Sequence, residues 1–218
     1  MKKGKFIVLE GLNGCGKGTQ LPYLADYILG LDKSNTIFLT REPNEFDDNG
    51  KKAREMLKSD GDPYSNNIEA VKYFAKNRET HNSIIAPLLL KGIHVISDRY
   101  WHSNFAFQHT QGISYEEIAK ANQGLLVPDL TLIFNCPIEE LSKRLQKRDG
   151  ENRRKFDSNL EFLARVGTNY VNLQNILPDL INDESILYVD ANRSIEEVRK
   201  AVVKAFDIVP ILSSRKYF

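Results

Sequence analysis

A glycine-rich segment with a single lysine follows the first apolar run of this 218-residue chain. Its residues are Gly11, Leu12, Asn13, Gly14, Cys15, Gly16, Lys17, Gly18 and Thr19. Glycines let the backbone turn several N–H groups inward, and these donors can hold a polyphosphate at the positive end of a following helix. The spacing agrees with Gly-x4-Gly-Lys-Ser/Thr, the phosphate-binding loop (P-loop), whose lysine reaches the β- and γ-phosphates. A merely structural turn would not need this lysine.

The last position of that consensus is Gly18 instead of a hydroxyl residue, and Thr19 follows one place later. The usual hydroxyl ligand of Mg²⁺ is therefore absent. We expect the metal to be held mostly by waters, phosphates and a carboxylate, with Thr19 close by. The loop alone does not choose among GTPases, motor ATPases and kinases, which all share it.

Charged residues also stand where two further apolar runs end. Arg41 ends the second run, and Asp98 and Arg99 end the third. In an open α/β sheet the ligand lies beyond the carboxyl ends of the strands, so these residues are expected to share one crevice with the P-loop. Two guanidinium groups suit a second phosphate, and Asp98 could hold the water shell of Mg²⁺ or assist the acceptor phosphate. The alternatives are a helix cap for Asp98 and a surface ion pair for Arg41.

The elements that must position these residues are short apolar runs at 6–9, 36–39, 94–97, 130–134 and 186–189. Such runs are typical of strands buried on both faces of a parallel sheet. Stretches with helical periodicity lie between them, which indicates an α/β layered fold with right-handed crossovers. We predict one domain at 1–208 and a C-terminal tail at 209–218. Polar stretches at 44–50 and 148–157 are predicted to be mobile surface loops.

Composition excludes several classes of protein. The net charge is +1, which argues against a general nucleic-acid binder. The chain contains no run of about 20 apolar residues, so we expect no membrane span. Glu10 and Gly11 interrupt the first apolar run too early for a signal peptide. The two cysteines, Cys15 and Cys136, have no zinc-like spacing, so we expect a cytoplasmic protein.

Four further segments, taken in order, carry a family resemblance. They are Thr40-Arg41-Glu42-Pro43, Phe74-Ala75-Lys76-Asn77-Arg78, Asp98-Arg99-Tyr100 and Ser103-Asn104-Phe105-Ala106-Phe107-Gln108. Together with the P-loop ending Gly-Lys-Gly-Thr-Gln, they resemble the thymidylate kinase family from residue 6 to about residue 203. The resemblance implies a three-layer P-loop NTPase fold, with a five-stranded parallel sheet in the order 2-3-1-4-5 and a short basic lid at 148–157. It also implies phosphorylation of dTMP to dTDP by ATP with Mg²⁺, and a homodimer.

The resemblance assigns a set of residues to the acceptor nucleotide. By this resemblance, Arg41 and Arg99 clamp the acceptor phosphate and Phe74 stacks on the thymine ring. Arg78, Asn104 and Gln108 contact the polar edge of the base, and Phe107 packs against the sugar. Phe107 stands where the family often has tyrosine. By base rate alone Phe74 could instead be a core aromatic residue.

Asn13 is the main departure inside the P-loop. The family commonly has an aspartate there, which contacts the sugar 3′-hydroxyl and the metal region. Asparagine keeps the hydrogen-bonding capacity of aspartate but removes its charge. The resemblance therefore leaves open a weaker metal affinity, an altered sugar contact or an altered choice of acceptor.

Some thymidylate kinases carry a further basic residue inside the P-loop, but the corresponding stretch here, Asn13-Gly14-Cys15, has none. The resemblance to the other members implies that a lid arginine supplies the charge around the migrating phosphoryl group. The candidates are Arg148, Arg153 and Arg154, unless this stretch is only a solvated basic loop. Arg144 resembles the residue that packs over adenine.

Two rival functions stay open at this point. The Gly-Lys-Gly-Thr-Gln ending is shared with adenylate kinases, so the acceptor could be dUMP, dCMP or another monophosphate. Asn13 and Gly18 would also suit a nucleotide-binding paralogue that has lost catalysis. A GTPase is disfavoured because the chain has no convincing Asn-Lys-x-Asp segment.

Overall fold

The computed structural model describes residues 3–58, 61–65, 68–150 and 155–212. A five-stranded, all-parallel sheet lies at the centre, in the order β2-β3-β1-β4-β5. The strands are β1 (Phe6–Glu10), β2 (Ile37–Arg41), β3 (His94–Asp98), β4 (Leu130–Asn135) and β5 (Ile186–Asp190). The predicted parallel sheet and its strand order are thereby confirmed.

Each observed strand extends one or two residues beyond its predicted apolar run. The added final residues are polar: Glu10, Arg41, Asp98, Asn135 and Asp190. Parallel strands end at the same edge of the sheet, so all five polar groups lie along one border. This border is the place where the fold can hold charged ligands.

Helices flank the sheet and are joined to it by short connections. They are α1 (Lys17–Leu31), α2 (Asp48–Lys58), α3 (Ile68–Leu90), α4 (His102–Thr110), α5 (Tyr115–Ala121), α6 (Ile138–Asp149), α7 (Lys155–Ser158), α8 (Leu160–Ile181) and α9 (Ile195–Leu212). Apolar residues of these helices pack into the core, as Leu24 and Ile28 of α1 and Leu141 and Leu145 of α6 illustrate. Helix α9 continues to Leu212, past the predicted start of the tail. None of the described helices is both long enough and apolar enough to cross a membrane.

The stretch 44–50, predicted to be a mobile loop, is packed instead. Helix α2 begins within it, at Asp48. Asn44 is buried, and its side chain accepts a hydrogen bond of 3.0 Å from the amide of Asn77. A Cβ added at Gly50 would lie 1.8 Å from the carbonyl oxygen of Asn44, so the helix and the loop touch backbone to backbone. The stretch thus combines buried, hydrogen-bonded residues such as Asn44 with exposed ones such as Phe46.

The second stretch, 148–157, was also predicted to be a loop. Arg148 and Asp149 belong to α6, and Lys155, Phe156 and Asp157 belong to α7. Residues 151–154 between them lie outside the described residues.

A buried ionisable cluster holds α4 against the start of β5. Asp183 is 1% exposed, and its Oδ2 lies 2.8 Å from Nε2 of His102 and accepts a hydrogen bond of 3.0 Å from the indole of Trp101. Burial alone would raise the pKa of Asp183, but His102 and the hydrogen bonds from Ser185 outweigh it and lower that pKa to about 2. The ionised carboxylate therefore stabilises the folded protein.

We expect Asp183→Asn to lower the free energy of unfolding by about 2–4 kcal/mol at pH 7, because it removes a buried, paired charge. The folded-state pKa of Asp183 lies below the usual aspartate value of 3.8. The stabilisation is therefore complete above about pH 4 and is lost as the pH falls towards about 2. Urea unfolding followed by circular dichroism should show the variant and the wild type converging over that range. The exposed Asp179→Asn is the matched control, and an equal loss in both variants would contradict the prediction.

Candidate active site

The glycines of the P-loop adopt backbone conformations that other residues rarely reach. Gly11, Gly14 and Gly16 have φ angles of 131°, 82° and 101°. A Cβ at Gly11 would also lie 2.7 Å from the carbonyl oxygen of Phe134, so β4 leaves no room for a side chain there. Helix α1 begins directly afterwards, at Lys17. The loop thus presents N–H groups at a helix N-terminus, as an anion site requires.

Lys17 points back into the loop and is only 6% exposed. Its Nζ donates to the carbonyl oxygens of Gly11 at 2.9 Å and Leu12 at 3.1 Å. Charged phosphate oxygens are stronger acceptors for an ammonium group than neutral carbonyls. A bound triphosphate can therefore take over these contacts without any large movement of the backbone.

Glu10, the last residue of β1, organises the start of α4. It is fully buried, and its Oε1 accepts from the backbone N–H groups of Tyr100 at 2.8 Å and Ser103 at 3.2 Å. Its Oε2 accepts from the hydroxyl of Tyr170 at 2.8 Å. The carboxylate fixes the chain that carries Arg99 relative to the P-loop. The sequence interpretation missed Glu10, although a charged residue directly after a fully apolar strand is a usable signal.

Arg99 lies between the P-loop and α4. It has a φ of 75°, a left-handed conformation that few residues other than glycine adopt. Its guanidinium donates to Oδ1 of Asn13 at 2.8 Å, to Oγ of Ser103 at 3.0 Å and to the hydroxyl of Tyr170 at 3.2 Å. Burial opposes the charge, but Tyr170 and Glu10 more than offset this effect and raise the pKa of Arg99. The guanidinium is therefore charged and held in one place.

A cavity that is partly open to solvent lies beside this guanidinium. Of the residues predicted to bind the acceptor, all but Arg41 line this cavity. They are Asn13, Phe74, Arg78, Arg99, Asn104, Phe107 and Gln108. The structure thus brings together side chains from the P-loop, α3 and α4.

A chain of buried polar groups forms one side of the cavity. Arg78 donates from Nε to Oε2 of Glu42 at 2.6 Å, and from Nη1 to the side-chain Oδ1 of Asn104 at 3.0 Å and to that of Asn122. Asn104 in turn donates from Nδ2 to Oε1 of Gln108 at 2.9 Å. Arg78 thereby fixes the side-chain amide of Asn104 and, through it, that of Gln108. Both amides line the cavity.

Aromatic rings also line the cavity. Phe107 packs edge-on against Phe156 of α7, with ring centroids 5.8 Å apart, and against Tyr170 at 6.3 Å. The Arg99 guanidinium carbon lies 5.7 Å from the Phe107 ring centroid. Phe74 is 7% exposed and lines the cavity from α3. Apolar walls with a few fixed polar groups are typical of sites that hold a planar base.

Arg41 does not line this cavity. It is exposed and faces a separate cavity, together with Asp98. Arg54 of α2 lines the Arg99 cavity instead, and its Nη2 donates to the carbonyl oxygen of Pro43 at 2.6 Å. The sequence interpretation missed Arg54, because it treated the start of α2 as part of a mobile loop and took no account of the helix.

The sequence profile of the thymidylate kinase family matches residues 9–202 of this chain. The chain belongs to the thymidylate kinase family. Among similar proteins, one from Pyrococcus abyssi described as "Probable thymidylate kinase" is 34% identical over 205 residues, which cover 92% of this chain and 95% of the relative. The thymidylate kinase of Nitrosomonas europaea is 33% identical over 208 residues, with 94% and 93% covered. That of Vesicomyosocius okutanii is 31% identical over 207 residues, with 93% and 97% covered.

The described part of the predicted lid lies beside the P-loop, where Asp157 accepts a hydrogen bond from Asn13. Of the three lid arginines predicted to assist transfer, Arg153 and Arg154 lie outside the described residues. Arg148 is half exposed, and its Nε and Nη2 donate to Asp149 at 2.7 and 2.5 Å. This hydrogen bonding raises the pKa of Arg148. Its guanidinium also lies 3.9 Å from the carboxylate of Asp157.

Two further predicted residues lie along the same edge of the sheet. Arg144 of α6 donates to the carbonyl oxygen of Ala191, directly after β5, at 3.1 Å, and to Glu140 at 2.9 Å. Thr19 is exposed on the first turn of α1. Both are placed near the end of the sheet where the P-loop lies.

Magnesium fits the oxygen atoms available at this edge. Asp98 carries a buried Oδ1 that has no hydrogen-bond partner among the described residues. Those residues contain no group of three or more His, Cys, Asp or Glu side chains that could hold a metal ion. Mg²⁺ commonly binds through one or two carboxylates together with nucleotide phosphates and waters, so a complete protein cage is not required.

Proposed function

We propose that this thymidylate kinase transfers the γ-phosphoryl group of ATP to dTMP where the P-loop meets the Arg99 cavity. One observation carries the proposal: a single guanidinium, that of Arg99, contacts Asn13 of the P-loop and also lines the cavity for the acceptor. A cation at this junction lies where the negative charge of two phosphate groups would meet. Membership of the family supports ATP and dTMP as the two substrates.

The proposed reaction is a direct in-line transfer. Residues 11–19 bind the triphosphate, and Lys17 neutralises the β- and γ-phosphates. Arg99 holds the acceptor phosphate, which is already ionised at neutral pH and needs no general base. Mg²⁺, held by Asp98 through water with Thr19 nearby, would supply further positive charge to the phosphates. Positioning and electrostatics supply most of the rate, while the lid with its arginines excludes water.

The acceptor cavity suits a pyrimidine deoxynucleotide in this proposal. Phe74 stacks on the base, while the amides of Asn104 and Gln108 meet its polar edge. Phe107 packs against the sugar and disfavours a 2′-hydroxyl. Arg78, whose hydrogen bonds are made within the protein, acts by holding Asn104 in position.

A panel of monophosphates tests the proposed function. With ATP and Mg²⁺, coupled ADP release should be fastest with dTMP, slower with dUMP and slowest with dCMP and AMP. A preference for another monophosphate would replace dTMP as the acceptor. Absence of dTDP in a direct product assay would favour the catalytically inactive paralogue.

The two cavities make different predictions for two arginines. We expect Arg54→Ala to raise the KM for dTMP by about tenfold or more, because it removes a cation from the acceptor cavity. Arg41→Ala should change that KM by less than about threefold, because Arg41 faces the other cavity. Steady-state kinetics with both variants checks this difference. A rise in KM of more than about threefold for Arg41→Ala would instead support the phosphate clamp of Arg41 and Arg99 that the sequence predicts.

Four expectations from the sequence stay predictions. They are a homodimer, a cytoplasmic location, no binding of nucleic acid, and a single domain that ends near residue 208. Light scattering of the purified chain tests the first, with a mass of twice 24.9 kDa expected for a dimer.

A further inference from the structure

The P-loop departure Asn13 makes two different kinds of hydrogen bond. Its Nδ2 donates to both carboxylate oxygens of Asp157, at 2.9 and 3.1 Å. Its Oδ1 accepts from Nη2 of Arg99 at 2.8 Å. Only one orientation of the amide gives a donor to the carboxylate and an acceptor to the guanidinium, so the neighbours fix it. Asn13 therefore bridges an anion and a cation.

Asp157 belongs to the stretch 148–157, predicted to be the lid, and lies 144 residues from Asn13 along the chain. It is 1% exposed, although it belongs to the short helix α7. The preceding residue, Phe156, lines the acceptor cavity, with ring centroids 5.8 Å from Phe107 and 5.4 Å from Phe162. The contact between Asn13 and Asp157 thus joins the P-loop to a wall of the acceptor site.

The chemistry of this contact requires an amide at position 13. An aspartate there would set two carboxylates about 3 Å apart, and two such groups cannot both stay ionised without a large cost. The carboxylate of Asp157 would then be pushed away, and Phe156 would move with it. Asparagine supplies the N–H groups that a buried carboxylate needs.

We propose that Asp157 is a positioning residue for phosphoryl transfer. Through Asn13 it holds the Arg99 guanidinium in place, and it also holds Phe156 of α7 against the acceptor cavity. The proposal rests on the proposed function for its kinetic consequences only. Its structural consequence, the attachment of α7 to the P-loop, does not depend on which monophosphate is the substrate.

A reciprocal exchange of the two side chains tests the proposal with the full chain. The variants are Asn13→Asp, Asp157→Asn and the double variant that carries both changes. The double variant restores one amide facing one carboxylate, with the two roles exchanged. Glu161→Gln is the matched control, because it removes a carboxylate from an exposed position on α8, four residues after Asp157.

We expect Asn13→Asp to lower kcat/KM for dTMP about 30-fold, because it breaks the contact by repulsion. Asp157→Asn should lose about fivefold, because one amide-to-amide hydrogen bond can still form. The double variant should return to within about threefold of the wild type. Thermal unfolding of each variant verifies that it is folded. If the double variant is no more active than Asn13→Asp, or if Asn13→Asp is as active as the wild type, the proposal is overturned.

Hydrogen exchange of the ligand-free protein provides a second readout that is independent of activity. The backbone amides of residues 155–163 should exchange at least about tenfold faster in Asn13→Asp than in the wild type, and should slow again in the double variant. Equal exchange in all variants overturns the proposal. If the wild type made no dTDP while exchange followed the expected order, the proposed function would fail and the role of the contact would stand.

Discussion

Replacing Arg99 by alanine is expected to lower kcat/KM for dTMP by about a thousandfold, the lower end of what one arginine contributes to phosphoryl transfer. Arg99 is the cation at the junction of the P-loop and the acceptor cavity, and hydrogen bonds to Asn13, Ser103 and Tyr170 hold it there. The loss should fall on both kcat and the KM for dTMP, with a much smaller change in the KM for ATP. Steady-state kinetics with each substrate varied separately measures this.

Arg99→Lys separates the charge of this residue from its shape. Lysine keeps a positive charge but lacks the planar fork that binds two phosphate oxygens at once. We expect a loss of about 30- to 100-fold, between those of the wild type and the alanine variant. Arg165→Ala, on the exposed face of α8, is the control for removing an arginine. Retention of more than a tenth of the activity by Arg99→Ala would place the acceptor phosphate elsewhere.

Lys17→Met is expected to lower kcat by about a thousandfold or more, because no other side chain of the P-loop offers a positive charge to the migrating phosphoryl group. Methionine keeps an unbranched stem of similar length and removes only the ammonium group. Since that group is held inside the loop by two carbonyl oxygens, the fold should tolerate the change. Single-turnover measurements with saturating ATP separate the chemical step from binding.

The control for this variant is Lys143→Met on the exposed side of α6, which should leave kcat unchanged. Isothermal titration with ADP should show weaker binding by Lys17→Met only. If kcat fell and ADP affinity did not, Lys17 would act on the γ-phosphate alone. If neither changed, the glycine-rich loop would not be the ATP site.

The sequence was sufficient to predict the sheet, because the central strands are largely buried and their sequences are nearly continuous apolar runs. All five residues of β1 are buried, including Glu10. The P-loop was equally predictable, since its glycines are required by backbone geometry. Even the shared position of Arg41, Asp98 and Arg99 near one edge of the sheet followed from parallel strands ending together.

The sequence could not reveal which way Arg41 points. Neighbouring residues of a strand face opposite sides of the sheet, so a shift of one residue changes the cavity that a side chain can reach. In β2, Oγ1 of Thr40 lies 2.8 Å from Nε2 of His81 of α3, the helix that lines the acceptor cavity. Arg41 lines the cavity that also contains Asp98, and Arg54 of α2 lines the acceptor cavity instead.

The remaining gaps involve pairs that are distant along the chain. Tyr170 donates to Glu10 across 160 residues, and Asn13 donates to Asp157 across 144. No local pattern encodes such pairs, because each partner has an ordinary local role as a strand, helix or loop residue. They arise only when α7 and α8 pack over the end of β1. For this reason the sequence identified Asn13 as unusual but could not identify its partner.

A crystal structure of the protein with ADP and dTMP bound tests the central claim most directly. We predict ADP with its phosphates on residues 11–19, and dTMP with its phosphate hydrogen-bonded to Arg99 and its base against Phe74. A dTMP phosphate bound beside Arg41 and Asp98, with Arg99 still donating to Asn13 and Tyr170 alone, would contradict it.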